Sequence, residues 1–206
     1  QMKLALGAPD GFAAAAATAL THLSRLASGS VALSNAALSV TGKAADFPGF
    51  DAVTAALKAL PGSVTLGKAE IAPPTVSPFE WSATKAASGL TLSGVVPAEA
   101  ARVPIVAAAR AAAGGGQVTD NLRVADGGAS GVDYAQGAAF ALGQLAKLQN
   151  GSAKISGDAL TVSGAAADVA TYESVRAALS GALPGGIKLA SQAITGPVAS
   201  PYLWSA

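Results

Sequence analysis

An internal repeat constrains this chain more than any other feature of its sequence. Residues 11–83 align with residues 133–206 at an offset of 122, which becomes 123 after one extra residue near Gly181. The segment SPFEWSA at 77–83 returns as SPYLWSA at 200–206. The segment LSVTG at 38–42 returns as LTVSG at 160–164, and LTLSG at 90–94 is a third version of that pattern. Similarity at a fixed spacing indicates a supersecondary unit that is used more than once.

The shared LxVxG-like pattern predicts a strand in each unit. Apolar residues alternate with Ser or Thr, which is typical of a strand with one buried face. Each pattern ends in a glycine, and we expect these glycines to be structural, at sites of positive φ or of close approach by a helix. They are Gly42, Gly94 and Gly164.

Helical spacing of apolar residues predicts a helix ahead of the strand in both long copies. We expect these helices to end at Ser28-Gly29 and at Asn150-Gly151, as glycine C-caps. Asp46 and Asp168 stand where N-caps of the next helices are expected. The predicted apolar faces comprise Phe12, Ala16, Leu20, Leu23 and Ala27 in one copy and Tyr134, Ala138, Leu142, Leu145 and Leu148 in the other.

These patterns predict an α/β (α+β) chain of tandem modules, with helices packed on one face of mixed β-sheets. A long unit (helix, strand, strand, helix, strand) alternates with a short one (strand, strand, helix, strand), so a complete module has about three helices and six strands. Proline-bearing linkers mark the module boundaries, and the glycine-rich residues 126–131 join two halves of one module. Residues 1–73 are then the C-terminal half of a module, 78–196 a complete double module, and 197–206 the first strand of a following module.

Three features together resemble the BON domain (bacterial OsmY and nodulation). They are the apolar-Thr-apolar-Ser-Gly strand, the helix that follows it, and GQVTDNLRV at 116–124. In this resemblance Gly42, Gly94 and Gly164 match the central glycine of the family, and Asn121 matches its last strand. Residues 78–196 resemble the BON region of OmpA-family bacterial envelope proteins. The last strands of the long units lack the asparagine, which is a departure from the family pattern.

The sequence contains little that would support catalysis or cofactor binding. Lys and Arg number 13 against 12 Asp and Glu, and they are scattered, so the electrostatic footprint needed for nucleic acid is missing. There is no cysteine, the carboxylates do not form a calcium-loop pattern, and the most apolar stretch is shorter than a membrane span. The one histidine, His22, falls beside an apolar helical stripe. We therefore expect no enzymatic activity, no metal and no cofactor.

Two aromatic pairs stand out in this alanine-rich chain. Phe79 and Trp81 share one face of a predicted strand, and Tyr202 and Trp204 repeat the arrangement. We expect these residues to anchor the core; the alternative is an exposed surface for a ligand or lipid.

The resemblance implies a structural or interaction role in a bacterial cell envelope, in the periplasm, the outer membrane or at the cell surface. The expected partners are other modules of the same protein or copies of the chain itself, and not nucleic acid. Two alternatives stay open, namely a phospholipid-binding envelope module and a subunit that assembles an extracellular fibre by strand complementation.

Overall fold

The computed structural model describes residues 12–34, 37–60 and 64–197, without the side chains of residues 12–15, 18 and 22. The chain divides at Thr75/Val76 into an N-terminal unit and a C-terminal unit. Both are mixed α+β: five α-helices and two mixed sheets, of three and six strands, are found in the described residues. The predicted strand of a following module, at 197–206, lies outside the described residues apart from Pro197.

The N-terminal unit contains a three-stranded sheet of order β1-β2-β3. Strand β1 is antiparallel to β2, and β2 is parallel to β3. Asp46 caps the helix between β2 and β3 by accepting from Gly49 N at 2.6 Å, as its position predicts. In chain order the elements are α1 (Phe12–Leu23), β1 (Leu26–Ser34), β2 (Ala37–Ala44), α2 (Phe47–Lys58) and β3 (Thr65–Ala72).

The C-terminal unit contains a six-stranded sheet of order β6-β5-β4-β7-β8-β9. Its centre is the antiparallel pair β4/β7, and each side continues with one antiparallel and one parallel neighbour. In chain order the elements are β4 (Glu80–Ala86), β5 (Gly89–Val96), α3 (Glu99–Ala112), β6 (Gln117–Val124), α4 (Tyr134–Lys147), β7 (Asn150–Ser156), β8 (Ala159–Ala165), α5 (Val169–Ser180), a 3-10 turn (Pro184–Gly186) and β9 (Lys188–Thr195).

The sequence repeat corresponds to a repeat of structure. The N-terminal series α1-β1-β2-α2-β3 has the same order and pairing as α4-β7-β8-α5-β9. Within the C-terminal unit, β4-β5-α3-β6 has the same order and strand pairing as β7-β8-α5-β9, and the two series lie on opposite sides of the central pair. The C-terminal sheet is therefore two ββαβ halves joined edge to edge.

The core of each unit follows the predicted strand alternation. Leu38 and Val40 are buried in β2, and their counterparts in β5 and β8 are buried as well. The five predicted apolar positions of the second long copy are all buried, four of them in α4 and Leu148 at its C-cap. The largest fully buried side chains of the C-terminal unit are Trp81, Leu90, Leu92, Ile105, Leu142, Leu145, Leu148, Ile155, Leu160 and Leu179.

The predicted ends of two helices are wrong. Helix α1 ends at Leu23 and α4 at Lys147, so Gly29 and Gly151 lie inside strands β1 and β7 rather than at helix C-caps. The apolar positions that extend the helical pattern also fit strand alternation, and pairing with β2 and β8 decides the outcome. Leu20, predicted on the core face of α1, is 65% exposed.

Candidate functional site

Two aromatic residues at the start of β4 are core anchors: Phe79 directly precedes the strand and Trp81 lies within it. Phe79 is 3% exposed and Trp81 is 1% exposed, so neither contributes to a ligand surface. The Phe79 ring packs on Tyr134 with centroids 4.8 Å apart. The Tyr134 hydroxyl donates to Gly157 O at 2.9 Å and accepts from Ala129 N at 3.0 Å. Their predicted equivalents, Tyr202 and Trp204, lie outside the described residues.

Polar contacts fix the outer face of the β4/β7 seam, the antiparallel strand pair at the centre of the C-terminal sheet. Glu80 and Lys154 form an ion pair at 2.7 Å, and Ser156 Oγ donates to the same carboxylate at 3.1 Å. The hydrogen bond from Lys154 holds the pKa of Glu80 below its usual range. Trp81 lies opposite Ile155 on the inner face. The seam thus combines a charged outer pair with a bulky buried one.

Lys85 links the same seam to the end of α4. Its Nζ atom donates to the carbonyls of Leu145, Ala146 and Leu148 at 3.2, 2.9 and 2.8 Å. These carbonyls belong to the last turn of the helix, where unsatisfied acceptors and the helix dipole favour a cation. Lys85 therefore has a capping role that its sequence position, sixty residues before the helix end, did not reveal.

Glycines face one another across two equivalent strand pairs. Gly29 lies opposite Gly42, and Gly151 lies opposite Gly164. A Cβ on either member of a pair would fall within 3.0 Å of the facing glycine's Cα. The Leu26 side chain lies over the first pair, at 3.0 Å from such a Cβ, and Leu148 lies over the second, at 2.8 Å. The predicted glycines at 42 and 164 thus make room for a facing strand and for a leucine.

Gly94 is constrained in a different way. Its φ is +99°, and an added Cβ would lie 2.2 Å from Glu80 O and 3.2 Å from Trp81 Cα. Because these are backbone atoms of β4, no side-chain rotation relieves the overlap. Gly94 sets how closely β5 approaches the seam strand.

Charged side chains accompany three of the sheet edges. On β6, Asp120 accepts from Leu122 N at 3.0 Å and pairs with Arg102 at 3.0 Å. Strand β9 carries the Lys188–Asp158 pair at 2.7 Å, and β3 carries Lys68–Glu70 at 2.9 Å. Charges of this kind discourage pairing with a further strand.

Asn121, the residue on which the resemblance to the BON pattern of the last strand depends, is exposed on β6.

Strand β1 differs from these edges. Its sequence, LASGSVALS, contains no charged residue and no proline. Among the described residues it pairs with β2 alone, whereas its counterpart β7 lies between β4 and β8. Val31 and Leu33 are only half-buried, while the equivalent Ala153 and Ile155 are fully buried. The β1 edge, meaning the side of Leu26–Ser34 away from β2, is thus uncharged and has no neighbouring strand among the described residues.

An apolar groove lies in the N-terminal unit between α2 and β3. Its volume is about 300 Å³. The equivalent place in the C-terminal unit is more polar, since Arg176 there donates to the Tyr172 hydroxyl at 3.1 Å and lies over its ring. The groove is lined by Phe50, Thr54, Leu57, Lys58, Leu66, Ala69 and Ile71.

Within the described part of the chain, no three His, Cys, Asp or Glu side chains come together in a way that could hold a metal ion. No helix in these residues is long and apolar enough to cross a membrane. The side chain of His22 lies outside the described side chains. No family model matches the chain, and no curated protein matches it.

Proposed function

We propose that this chain is a non-enzymatic structural and interaction region of a bacterial cell-envelope protein, built from BON-like modules. The observation that supports it best is the β4/β7 seam, where two ββαβ halves join into one sheet. The long half recurs in the N-terminal unit with its own strand edge. A fold that repeats a half-module and joins halves through strand edges is suited to linking modules to each other.

The polar side chains described above support the same proposal. Asp46 and Asp168 cap helices, and Lys85 caps the end of α4. Glu80 and Lys154 hold the seam. These groups act within the fold rather than at a common cleft, which is consistent with a role in assembly and spacing.

Retention on envelope material tests the proposal. The purified chain would be incubated with membrane and cell-wall fragments of its source bacterium and sedimented, with the soluble cell fraction as the control. We expect the chain to sediment with the envelope fragments and to stay with them in 0.5 M salt, because its net charge is only +1. Equal amounts in the supernatant with and without fragments would contradict the proposal.

A phospholipid-binding module is the second candidate, and the α2/β3 groove favours it. Its lining is mainly apolar and includes Lys58, whose ammonium group would pair with an anionic headgroup. Flotation with liposomes that contain anionic phospholipid separates the two candidates. If lipid binding is the function, the chain floats with the liposomes and Leu66→Glu, which changes a half-exposed lining residue, abolishes flotation. A chain that stays at the bottom of the gradient excludes this candidate.

A further inference from the structure

The β1 edge presents backbone groups in the position that β4 occupies on β7. Strand β4 pairs with β7 from Glu80 to Lys85, on the side away from β8. We propose that residues 200–206 of a second copy of this chain add to the β1 edge as an antiparallel strand. This inference rests on the proposed function, because it names the partner of the interaction region.

The donor segment follows from the sequence repeat. Residues 200–206 repeat residues 77–83, which include the first part of β4. Trp81 lies opposite Ile155 in the seam. The same register places Trp204 opposite Leu33. Trp204 would then cover the half-buried side chains of β1, as Trp81 covers those of β7.

The outer face supplies an independent match between donor and acceptor. In the seam, Lys154 of β7 and Glu80 of β4 form the ion pair at 2.7 Å. The equivalent residues are Ala32 in β1 and Leu203 in the donor. The two residues that are charged in the seam are thus both apolar in the proposed contact between β1 and the donor segment. A change in only one strand would leave a charge beside an apolar side chain, so the joint change keeps the two strands complementary.

The order of pairing within the chain points to a second copy. Strand β4 follows β3 through a proline-bearing linker, yet it pairs forward, with the β7 of the next long unit. Residues 200–206 follow β9 through a linker that contains Pro197. Forward pairing excludes the chain's own β1 as the acceptor of residues 200–206, and a second copy offers the same edge of a long unit. The contact joins two different surfaces, so it generates open filaments or closed rings.

Sedimentation velocity across a wide concentration range tests the assembly with the full chain. The mass of the wild-type chain should rise from 19.8 kDa in dilute solution to more than twice that value when concentrated. Trp204→Glu should raise the apparent dissociation constant at least a hundredfold, because the substitution places a carboxylate at a buried position of the joint. Its thermal unfolding in dilute solution serves as the check that the chain still folds.

A matched pair of double variants tests the register. Ala32→Lys with Leu203→Glu rebuilds the charge pair of the seam and should assemble at least as tightly as the wild type. Ala32→Lys with Leu203→Lys places like charges together and should assemble roughly tenfold more weakly than the first variant, with the difference shrinking in 0.5 M salt. Val169→Glu, a change at an apolar residue that is 59% exposed on α5, is the control and should leave assembly unchanged.

Three results would each overturn the inference. They are a wild-type chain of constant mass at all concentrations, assembly of Trp204→Glu equal to wild type, and equal assembly of the two double variants. A monomeric chain that still sediments with envelope fragments would leave the proposed function standing. A chain that assembles in the predicted register but does not sediment with envelope fragments would refute the proposed function and support the inference.

Discussion

Replacing Gly94 with alanine tests one of the two closest approaches between a glycine and a neighbouring strand in the C-terminal sheet, the other being at Gly89. The added Cβ would lie 2.2 Å from Glu80 O, in a residue whose φ is +99°. Backbone strain of this kind costs about 1–3 kcal/mol, and forcing an extra methyl into a packed site costs a similar amount. We therefore expect Gly94→Ala to lower the free energy of unfolding by about 3 kcal/mol, or roughly 10 °C in melting temperature.

Substitutions at two other glycines distinguish the two contributions to this loss of stability, backbone strain and steric overlap. Gly157 also has positive φ, at +60°, but nothing lies within 4 Å of a Cβ placed there. Gly157→Ala should therefore cost only about 1 kcal/mol, from the backbone conformation alone. Gly143 lies in α4, and its Cβ would also meet open space, so Gly143→Ala should stabilise the chain by about 0.5–1 kcal/mol.

Urea unfolding followed by the fluorescence of Trp81, in a Trp204→Phe background, measures all three variants in the unit that carries them. The dependence of the unfolding free energy on urea should stay constant, so that the midpoint reports stability. If Gly94→Ala costs no more than Gly157→Ala, then contact with the β4 backbone does not constrain Gly94 and the reasoning fails.

Three further predictions concern residues of the C-terminal unit. Trp81→Ala should cost about 3–5 kcal/mol by urea unfolding monitored by circular dichroism. Trp81→Phe should recover more than half of that loss, because the buried indole Nε1 has no hydrogen-bond partner among the described residues; equal losses would show that ring volume is not what matters. Tyr134→Phe should cost roughly 2 kcal/mol in the same assay, since the donor to Gly157 O is lost; an unchanged midpoint would refute this. The hydrogen bond from Thr171 N lowers the pKa of Asp168, so its charge stabilises the fold above the ordinary pKa of about 3.8 and this contribution is lost as the pH falls toward the lowered value. The greater thermal stability of the wild type over Asp168→Asn should therefore begin to shrink below about pH 4, and a difference that stays constant down to about pH 2 would contradict the assignment.

Local patterns in the sequence predicted the elements whose signal lies within a few residues. The alternation at Leu38 and Val40 predicted a buried strand, and Asp46 and Asp168 cap helices where expected. The repeat also predicted that both long copies would share one order of elements. These features depend on neighbours in the chain, so the sequence alone was sufficient for them.

Features that depend on strand pairing were missed or misread. Gly29 and Gly151 looked like helix stops, because a glycine after a helical pattern is typical of a C-cap. Their partners Gly42 and Gly164 stand thirteen residues later in both copies. That constant spacing was the signal that would have indicated facing strands. Lys85 gave no such signal, because its acceptors lie on another element that only the folded sheet brings near.

The β4/β7 seam also determines the order in which the C-terminal unit is expected to form. The hairpins on either side of it join residues a few positions apart, whereas the seam joins Glu80 to Ser156. Closing so long a loop costs chain entropy before any seam contact compensates for it, so the halves should form early and the seam late. Loss of the Glu80–Lys154 pair should then accelerate unfolding in stopped-flow experiments and leave the folding rate nearly unchanged. The lifetime of the folded unit is accordingly set where its two halves meet.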